Sequence, residues 1–462
     1  MTSDPPSPAA RLSFWGGTPG ALAPLGLFLA GVSWLGLSGA PDESGFWPVL
    51  LLALSLGVLL ARDREAYAEA VVDGMSRRLV MIMVLAWLLA GVLGTLLRES
   101  GMVEFLIWAA GAAGLSGGGY VAAAFLVSAI FSTATGTSLG TLLICIPLLY
   151  PAGASMGGDP AFLLGAILGG ATFGDNVSPI SDTTIASAGT QGADIAGVVR
   201  SRIRYALPAA FVSLAAALWL GGAPPAGGSA TIGGTLPHAG LAMLAVPALV
   251  LALLLRGRGL VESLVFGILL AAVLGLVLGA FEPGDLLGID RDNFVATGLL
   301  LDGMRRAVGI SVFTLLLMGL VGAIEASGLM DGLVSVARSR LRSPRGAEGW
   351  IFATVTAAVV LTTHSVVAIL ATGGLAKEAG ESFGLGPYRR ANILDVTVCT
   401  WPFLLPFFIP TILASALTGG LEGVPRQSPW SAGLHNVHSW ALLGVIVLAI
   451  ASGWGRRDRT VG

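Results

Sequence analysis

The chain has 462 residues, of which 55% are apolar and 11% are charged, whereas soluble proteins carry about 25% charged residues. This composition excludes an ordinary soluble domain, and a net charge of −2 does not indicate nucleic-acid binding. No Asp, Glu, Lys or Arg occurs in residues 105–158 or 205–255. Each stretch is long enough for two membrane crossings, since a membrane-spanning helix needs about 20 apolar residues. The sequence therefore predicts an all-α polytopic membrane protein.

The N-terminal segment, residues 1–20, starts with several prolines and lacks the basic start and cleavage site of a signal peptide. We expect a short disordered tail there and a first helix that stays in the mature protein. Cys145 and Cys399 lie in apolar runs without metal-ligand spacing, so we interpret both as small core residues. Apolar runs predict helices near residues 21–38, 46–61, 79–97, 205–221, 237–255, 260–281, 307–326 and 438–455.

Three apolar stretches, residues 119–152, 161–199 and 349–417, are interrupted by polar residues and prolines. The interruptions read "TATGTS", "FGDNVSPISDTT", "LTTHS" and "WPFLLPFFIP". Breaks of this kind leave backbone groups unpaired, so at membrane depth they are tolerated only where protein or a watery cavity satisfies them. We therefore expect interrupted helices at these places, and for the topology we assume that residues 119–152 and 349–380 are hairpins.

The sequence also contains an internal repeat. "DGMSRRL" at Asp73 recurs as "DGMRRAV" at Asp302, and a gapless offset follows that pairs Ser138 with Ser365 and Pro179 with Pro406. This repeat predicts the following division: an N-terminal tail (1–20), a helical pair (21–65), a first repeat (66–204), connecting helices (205–294), a second repeat (295–417) and a C-terminal helix with its tail (418–462).

Basic residues predict the orientation, because they concentrate in cytoplasmic loops. If both hairpins return to the side they enter from, most of the 25 basic residues fall on one side. These are Arg11, Arg62, Arg64, Arg77, Arg78, Arg200, Arg202, Arg204, Arg256, Arg258, Arg338, Arg340, Arg342, Arg345, Lys377, Arg389, Arg390, Arg456, Arg457 and Arg459. Both termini are then cytoplasmic and the two repeats lie in opposite orientations, which is typical of secondary transporters with a midplane site.

The stretch "FGDNVSPISDTT" carries two acids, Asp175 and Asp182, on either side of Pro179. Proline ends or kinks a helix, and a broken helix offers free carbonyl and N–H groups. Together with nearby hydroxyls, these oxygens suit a small hard cation such as Na⁺ or Li⁺. A carboxylate can hold a cation or a proton but not readily both, which is the minimal chemistry of an antiporter. The alternative is that both acids are helix caps at a membrane edge.

The second half contains a similar stretch before its prolines, in which Asp395 is a third buried-carboxylate candidate. His364 aligns with Thr137, and whether it acts in the site or is structural stays open. The predicted ion- or proton-binding residues are Asp175, Asp182, Asp395, Asn176, Ser178, Ser181, Thr183, Thr184, Asn392, Thr397 and Thr400, with Asp175 and Asp182 as the Na⁺ ligands. The predicted hairpin-tip residues are Thr135, Thr137, Ser138, Thr362, His364 and Ser365.

Residues 173–184 resemble the signature of the NhaC family of Na⁺/H⁺ antiporters, matching F-G-D-x-x-S-P-L-S-D-T-T at nine positions. The resemblance implies an inverted-repeat fold with two hairpins and two broken helices. It also implies Na⁺ or Li⁺ exchange for H⁺, elevator-like movement of the site-bearing domain, and compatibility with a homodimer. Two departures are Asn176, where many members have a basic residue, and "TWPFLLP" in the second half.

We therefore expect a cytoplasmic-membrane antiporter whose partners are small cations and lipid. We expect no enzyme activity, cofactor or nucleic acid. The first alternative is a Na⁺- or H⁺-coupled carrier of organic anions or amino acids with the same fold, since half-helix N-termini suit carboxylates. A more distant one is an intramembrane serine protease, because "GASMG" at Gly153 fits G-x-S-x-G and His364 could act as base.

Overall fold

The computed structural model describes residues 11–38, 43–223, 238–291, 293–339, 342–419, 421 and 424–456. Its helices are α1 (Thr18–Leu37), α2 (Glu43–Leu60), α3 (Arg64–Met75), α4 (Arg78–Glu99), α5 (Met102–Ala112), α6 (Gly118–Thr135), α7 (Ser138–Ser155), α8 (Pro160–Val177), α9 (Asp182–Gln191), α10 (Ile195–Leu220), α11 (His238–Met243), α12 (Ala245–Leu255), α13 (Leu260–Val277), α14 (Pro283–Leu286), α15 (Leu299–Ala326), α16 (Leu329–Ser339), α17 (Pro344–Thr362), α18 (Ser365–Phe383), α19 (Pro387–Val398), α20 (Ile409–Thr418), α21 (Pro429–Leu434) and α22 (Val437–Ser452).

The all-α polytopic class is confirmed. Within the described ranges, seven helices are long and apolar enough to cross a membrane, namely α1, α4, α6, α7, α10, α13 and α15. Shorter apolar helices, among them α2, α20 and α22, accompany them. The strands found in this part of the chain are β1 (Gly288–Asp290) and β2 (Val295–Thr297), which pair antiparallel as one small hairpin.

The helices follow the internal repeat. The five helices α5 to α9 correspond one to one with α16 to α20. For example, α9 covers residues 182–191 and α20 covers the matched residues 409–418. The matched helices α4 and α15 run antiparallel, because Gly91 lies against Gly303 near one end and Arg77 pairs with Glu325 near the other. Glycine is needed at Gly91, where a Cβ would lie 2.3 Å from the Gly303 carbonyl oxygen.

Several helices differ from the sequence-based expectations at their ends. Helix α10 begins at Ile195 and not near 205, and α15 begins at Leu299 and not near 307. Both early turns carry charged residues, so the apolar runs start later than the helices do. The expected helix at 237–255 is divided into α11 and α12. The short helix α3 was not predicted because its charged residues interrupt any long apolar run.

Part of the segment predicted as a disordered N-terminal tail is ordered. Residues 1–10 lie outside the described residues, but Leu12 and Phe14 are buried and α1 begins at Thr18. The Leu12 and Phe14 side chains are 8% and 5% exposed, and the Leu12 amide donates a hydrogen bond to the Ala326 carbonyl at 3.0 Å. These apolar side chains bury surface against α3 and α15, which orders the segment.

Three arginines assigned to cytoplasmic loops are instead buried within the protein. Arg202 and Arg389 are 0% exposed and Arg390 is 6% exposed. Their assignment as loop residues was wrong, because counting charges along the chain ignores the helix face on which each residue lies. Arg340, Arg457 and Arg459 lie outside the described residues.

Candidate ion-binding site

Two helical hairpins carry the predicted tip residues. Helices α6 and α7 meet at Gly136–Thr137, and their open ends are joined where the Gly117 amide donates to the Met156 carbonyl at 2.8 Å. Gly136 has φ +67° and closes the turn in the left-handed region. The second tip, Thr363–His364, joins α17 to α18 in the same way. Thr363 has φ +48°, an uncommon value for a β-branched residue.

Two helix breaks lie beside these tips. Helix α8 ends at Val177 and α9 begins at Asp182, so residues 178–181 form the break that Pro179 predicts. In the second half, α19 ends at Val398, and a 3₁₀ turn at 401–403 precedes α20. The carbonyl groups at the end of α8 have no partner in the helix, which makes them available to other donors.

The tips and breaks surround one cavity of about 320 Å³. Thr137 and Ser138 reach it from the first tip, Asp175 and Asp182 from the first break, and His364 from the second tip. The rest of its wall is mainly apolar and includes Trp87, Leu143 and Phe403. Four helices (α7, α9, α18 and α20) begin at this cavity, so their partly positive N-terminal ends face the two acids.

Asp175 is buried at the cavity wall, with 6% of its surface exposed. Its Oδ2 accepts a hydrogen bond from the Ser138 hydroxyl at 2.9 Å, and its Oδ1 accepts one from the Ser181 hydroxyl at 2.6 Å. Ser138 belongs to the first hairpin and Ser181 to the break, so Asp175 joins the two. The Ser181 hydroxyl also lies 3.0 Å from the Thr183 hydroxyl. Two predicted ligands, Ser181 and Thr183, and the predicted tip residue Ser138 therefore lie around one carboxylate.

Asp182 is the first residue of α9 and is exposed to the cavity. It lies there with His364, whose Nδ1 has no hydrogen-bond partner among the described residues. An acid and an imidazole therefore share one cavity, while Asp175 forms part of its wall. The capping alternative accounts for neither acid fully, since both reach the cavity and Asp175 is not at a helix start.

Residues 18–221 match the family model described as "Na+/H+ antiporter family". The chain is also 27% identical to the Na⁺/H⁺ antiporter NhaC of Alkalihalophilus pseudofirmus over 366 residues, 74% of this chain and 75% of that protein. The chain is therefore similar to Na⁺/H⁺ antiporters over about three quarters of its length.

Two further similar proteins are antiporters of other substrates. The malate-2H⁺/Na⁺-lactate antiporter of Bacillus subtilis is 29% identical over 194 residues, which is 40% of this chain and 39% of that protein. The arginine/ornithine antiporter ArcD of Halobacterium salinarum is 24% identical over 418 residues, 82% of this chain and 81% of that protein.

Asp395, the third predicted carboxylate, lies in a different environment from the other two. It is 0% exposed and absent from the cavity wall. The Arg202 guanidinium lies 2.9 Å from its Oδ1, and this ion pair is buried at 0% exposure on both sides. Helix α10 thus supplies Asp395 with a counter-charge that the sequence analysis assigned to a loop, and a role of Asp395 in ion or proton binding stays a prediction.

Cys399, Arg202 and Ser187 are residues of this region that the sequence analysis did not predict for the site. The Cys399 thiol lies 3.5 Å from the Thr183 hydroxyl and 3.6 Å from Asp395 Oδ1, so it connects the first break to α19. Arg202 had a detectable signal, because it shares one face of α10 with Val198, Tyr205 and Ala209 at helical spacing.

The remaining predicted site residues form hydrogen bonds with other parts of the protein. Thr135, Thr362, Thr397 and Thr400 each donate a hydrogen bond to the carbonyl four residues earlier in the chain. Thr184 and Asn392 instead accept from Arg202, and the Ser365 hydroxyl donates to the Val398 carbonyl at 3.0 Å. The Ser178 hydroxyl accepts from the Ile180 amide at 3.4 Å, and Asn176 donates to the Thr172 carbonyl.

The protease alternative does not fit this arrangement. Ser155 is the last residue of α7, whereas His364 lies at the cavity beside the first residue, Ser138. An 18-residue helix separates its ends by about 25 Å at 1.5 Å per residue.

Within the described ranges, no group of three or more His, Cys, Asp or Glu is placed to hold a metal ion.

Proposed function

We propose that the protein exchanges Na⁺ or Li⁺ for H⁺ across the cytoplasmic membrane, with Asp175 and Asp182 holding the cation and the protons in turn. The observation that carries the proposal is that these two acids, on either side of a helix break, line the same cavity. The Ser138, Ser181 and Thr183 hydroxyls supply neutral oxygen ligands beside them.

The physical basis is competition for the same oxygen atoms. Carboxylate, hydroxyl and carbonyl oxygens can replace the water shell of a hard cation. A charged acid at membrane depth costs about 2.5–3.5 kcal/mol on insertion scales, and either a proton or a bound cation offsets that cost. The exchange follows if the cavity opens to one side with a cation bound and to the other with protons bound.

The exposed basic residues support a cytoplasmic position for the N-terminal end of α4. Arg78 begins this helix, and Leu79 and Ile82 of its first turns line the cavity. By the positive-inside rule we propose that the cavity opens toward the cytoplasm in this conformation and that both termini are cytoplasmic. An elevator-like movement of the hairpins and breaks, in a monomer or homodimer, would expose the cavity to the other side.

A second candidate is exchange of an organic acid or amino acid by the same cavity. Its volume of about 320 Å³ exceeds what one cation with a few waters needs, since a water occupies about 30 Å³. The four helix N-termini at the cavity would favour a carboxylate. The two acids at the wall oppose this candidate, because an anion would meet their negative charge.

The test uses purified protein in vesicles with an imposed pH gradient. We expect proton movement when NaCl or LiCl is added outside, and no response to choline chloride. Proton movement that ignores both cations and responds to an organic acid or amino acid would assign the second candidate instead.

Two variants connect this activity to the site. We expect Asp175→Asn and Asp182→Asn each to lower Na⁺-dependent exchange at least a hundredfold while the protein stays monodisperse, because Asn cannot carry the proton or the charge. Asp159→Asn is the matched control: Asp159 caps the opposite end of α8, where Asn can also cap. Full activity in either Asp175→Asn or Asp182→Asn would return that acid to a structural role.

A further inference from the structure

Arg202 is a charged side chain held entirely inside the membrane-embedded part of the protein, at 0% exposure. It lies on α10, and its guanidinium reaches the C-terminal end of α8, the first two turns of α9 and the middle of α19. Its Nη1 donates to the Asn176 carbonyl at 2.9 Å and to the Thr184 hydroxyl at 2.8 Å, and lies 2.9 Å from Asp395 Oδ1. Its Nη2 donates to the Ser187 hydroxyl at 3.3 Å.

The fifth acceptor is the Asn392 side-chain oxygen, 3.1 Å from Arg202 Nε. The guanidinium is therefore surrounded by five oxygens: one carbonyl, one amide, two hydroxyls and one carboxylate. The carbonyl of Asn176 is free to accept because α8 ends one residue later. Oxygens of these types, including carbonyls released by a helix break, are those that bind Na⁺ in transporters.

This cluster is distinct from the cavity. Arg202, Asn392 and Asp395 are absent from the cavity wall, whereas Asp175 and Asp182 belong to it. The two regions adjoin through Cys399, which contacts Thr183 on one side and Asp395 on the other. A solute in the cavity therefore meets two carboxylates, while the third is already neutralised by Arg202.

We propose that Arg202 is a resident cation: its guanidinium fills a second oxygen-lined cation site, built from Asn176, Thr184, Ser187, Asn392 and Asp395. An arginine side chain does not lose its proton in proteins, so this site stays filled through the transport cycle. The protein is then left with one exchangeable cation site, at Asp175 and Asp182. The inference rests on the proposed function for the identity of the transported ion, but not for the existence of the filled site.

The experiment counts Na⁺ bound per chain by equilibrium binding of ²²Na⁺ to purified protein in detergent. We expect one ion in the wild type and two in Arg202→Ala, because the alanine leaves the five oxygens and the Asp395 charge without a cation. The second ion should disappear in Arg202→Ala/Asp395→Asn, which removes that charge. Arg202→Lys keeps a cation in place and should stay at one. Guanidinium chloride at sub-denaturing concentration should displace only the additional ion.

The outcomes separate this inference from the proposed function. A folded Arg202→Ala protein that binds no more Na⁺ than the wild type would overturn the filled-site proposal. The wild type could instead bind no Na⁺ while the Arg202→Ala protein binds one ion that is lost when Asp395→Asn is added. This result would support the filled site and refute Na⁺ exchange. If neither protein binds Na⁺, both proposals fail.

A neutral pair covers the case in which Arg202→Ala does not fold. Arg202→Gln/Asp395→Asn removes both charges, so neither is left buried and unpaired. We expect this protein to bind the same single Na⁺ as the wild type. Loss of that ion from a monodisperse protein would place Asp395 in the transported-ion site and overturn the proposal.

Discussion

Asp175 is defined by its two hydroxyl partners as much as by its charge. Both of its oxygens accept hydrogen bonds from serine side chains, Ser138 and Ser181, at 2.9 and 2.6 Å. These bonds orient the carboxylate at the cavity wall, where a carboxyl group without donors would be free to rotate. Sequence analysis predicted all three residues for the site, but it could not tell that the hairpin serine would reach the break.

Removing one of these hydroxyls should weaken cation binding. A hydrogen bond to a charged group contributes about 1.5–3 kcal/mol, so we expect Ser181→Ala to raise the KM for Na⁺ by about tenfold or more. The measurement is initial exchange rate against Na⁺ concentration in vesicles. Ser213→Ala is the control, because Ser213 is also buried but donates only to the Ala209 carbonyl of its own helix. An unchanged KM for Ser181→Ala would remove Ser181 from the site.

Arg202 illustrates the limit of reading charge along the chain. It lies between Arg200 and Arg204, so the sequence resembles a basic cytoplasmic loop. On a helix the three residues point in different directions, and only Arg202 shares the buried face with Val198 and Tyr205. The position of a single charge thus depends on helix rotation, which the positive-inside count does not consider.

At the scale of elements, the first hairpin and the first break fit closely at Gly136. A Cβ at this residue would lie 2.7 Å from the Ile180 side chain and 2.9 Å from its carbonyl carbon. Glycine therefore allows both the left-handed turn of the tip and its contact with the break. This contact places Ser138 within reach of Asp175.

We expect Gly136→Ala to lower exchange at least tenfold, because the added methyl group must push the hairpin tip away from the break. The matched control is Gly192→Ala, since Gly192 has a similar φ of +63° but nothing within 4 Å of the added Cβ. Both variants incur about 1–2 kcal/mol of left-handed strain, so any difference between them reports the clash. The measurements are exchange rate and thermal unfolding of the purified proteins. Equal effects in the two variants would contradict a role for the tip–break contact.

At the scale of the whole molecule, a second buried ion cluster joins distant segments. Glu348 on α17 accepts from Arg389 of α19 at 2.9 Å, and this pair is 0% exposed on both sides. Arg456, after α22, reaches the same carboxylate at 2.7 Å. Arg389 also donates to the Tyr205 hydroxyl on α10 at 2.7 Å. Two segments therefore meet α17 at one carboxylate, and α10 joins the cluster through Arg389.

Removal of this carboxylate should destabilise the fold. Glu348→Gln leaves Arg389 buried without its counter-charge, and breaking a buried pair from one side costs about 3–5 kcal/mol. Arg456→Gln should cost about 1 kcal/mol or less, because the Arg456 side chain is 24% exposed and water can replace part of the interaction. Thermal unfolding in detergent measures both. A larger loss of stability in Arg456→Gln than in Glu348→Gln would contradict this ranking.

The sequence by itself determined the membrane class, the course of most spanning helices, the repeat and the positions of the two breaks. These features are local, because they follow from apolar length, from proline and from spacing along the chain. Only the tertiary structure decided which polar groups meet: Asp175 with the hairpin serines, Asp182 and His364 across one cavity, and Asp395 with Arg202. Such meetings depend on helix rotation and on contacts between segments up to about two hundred residues apart, and neither is encoded in a local pattern.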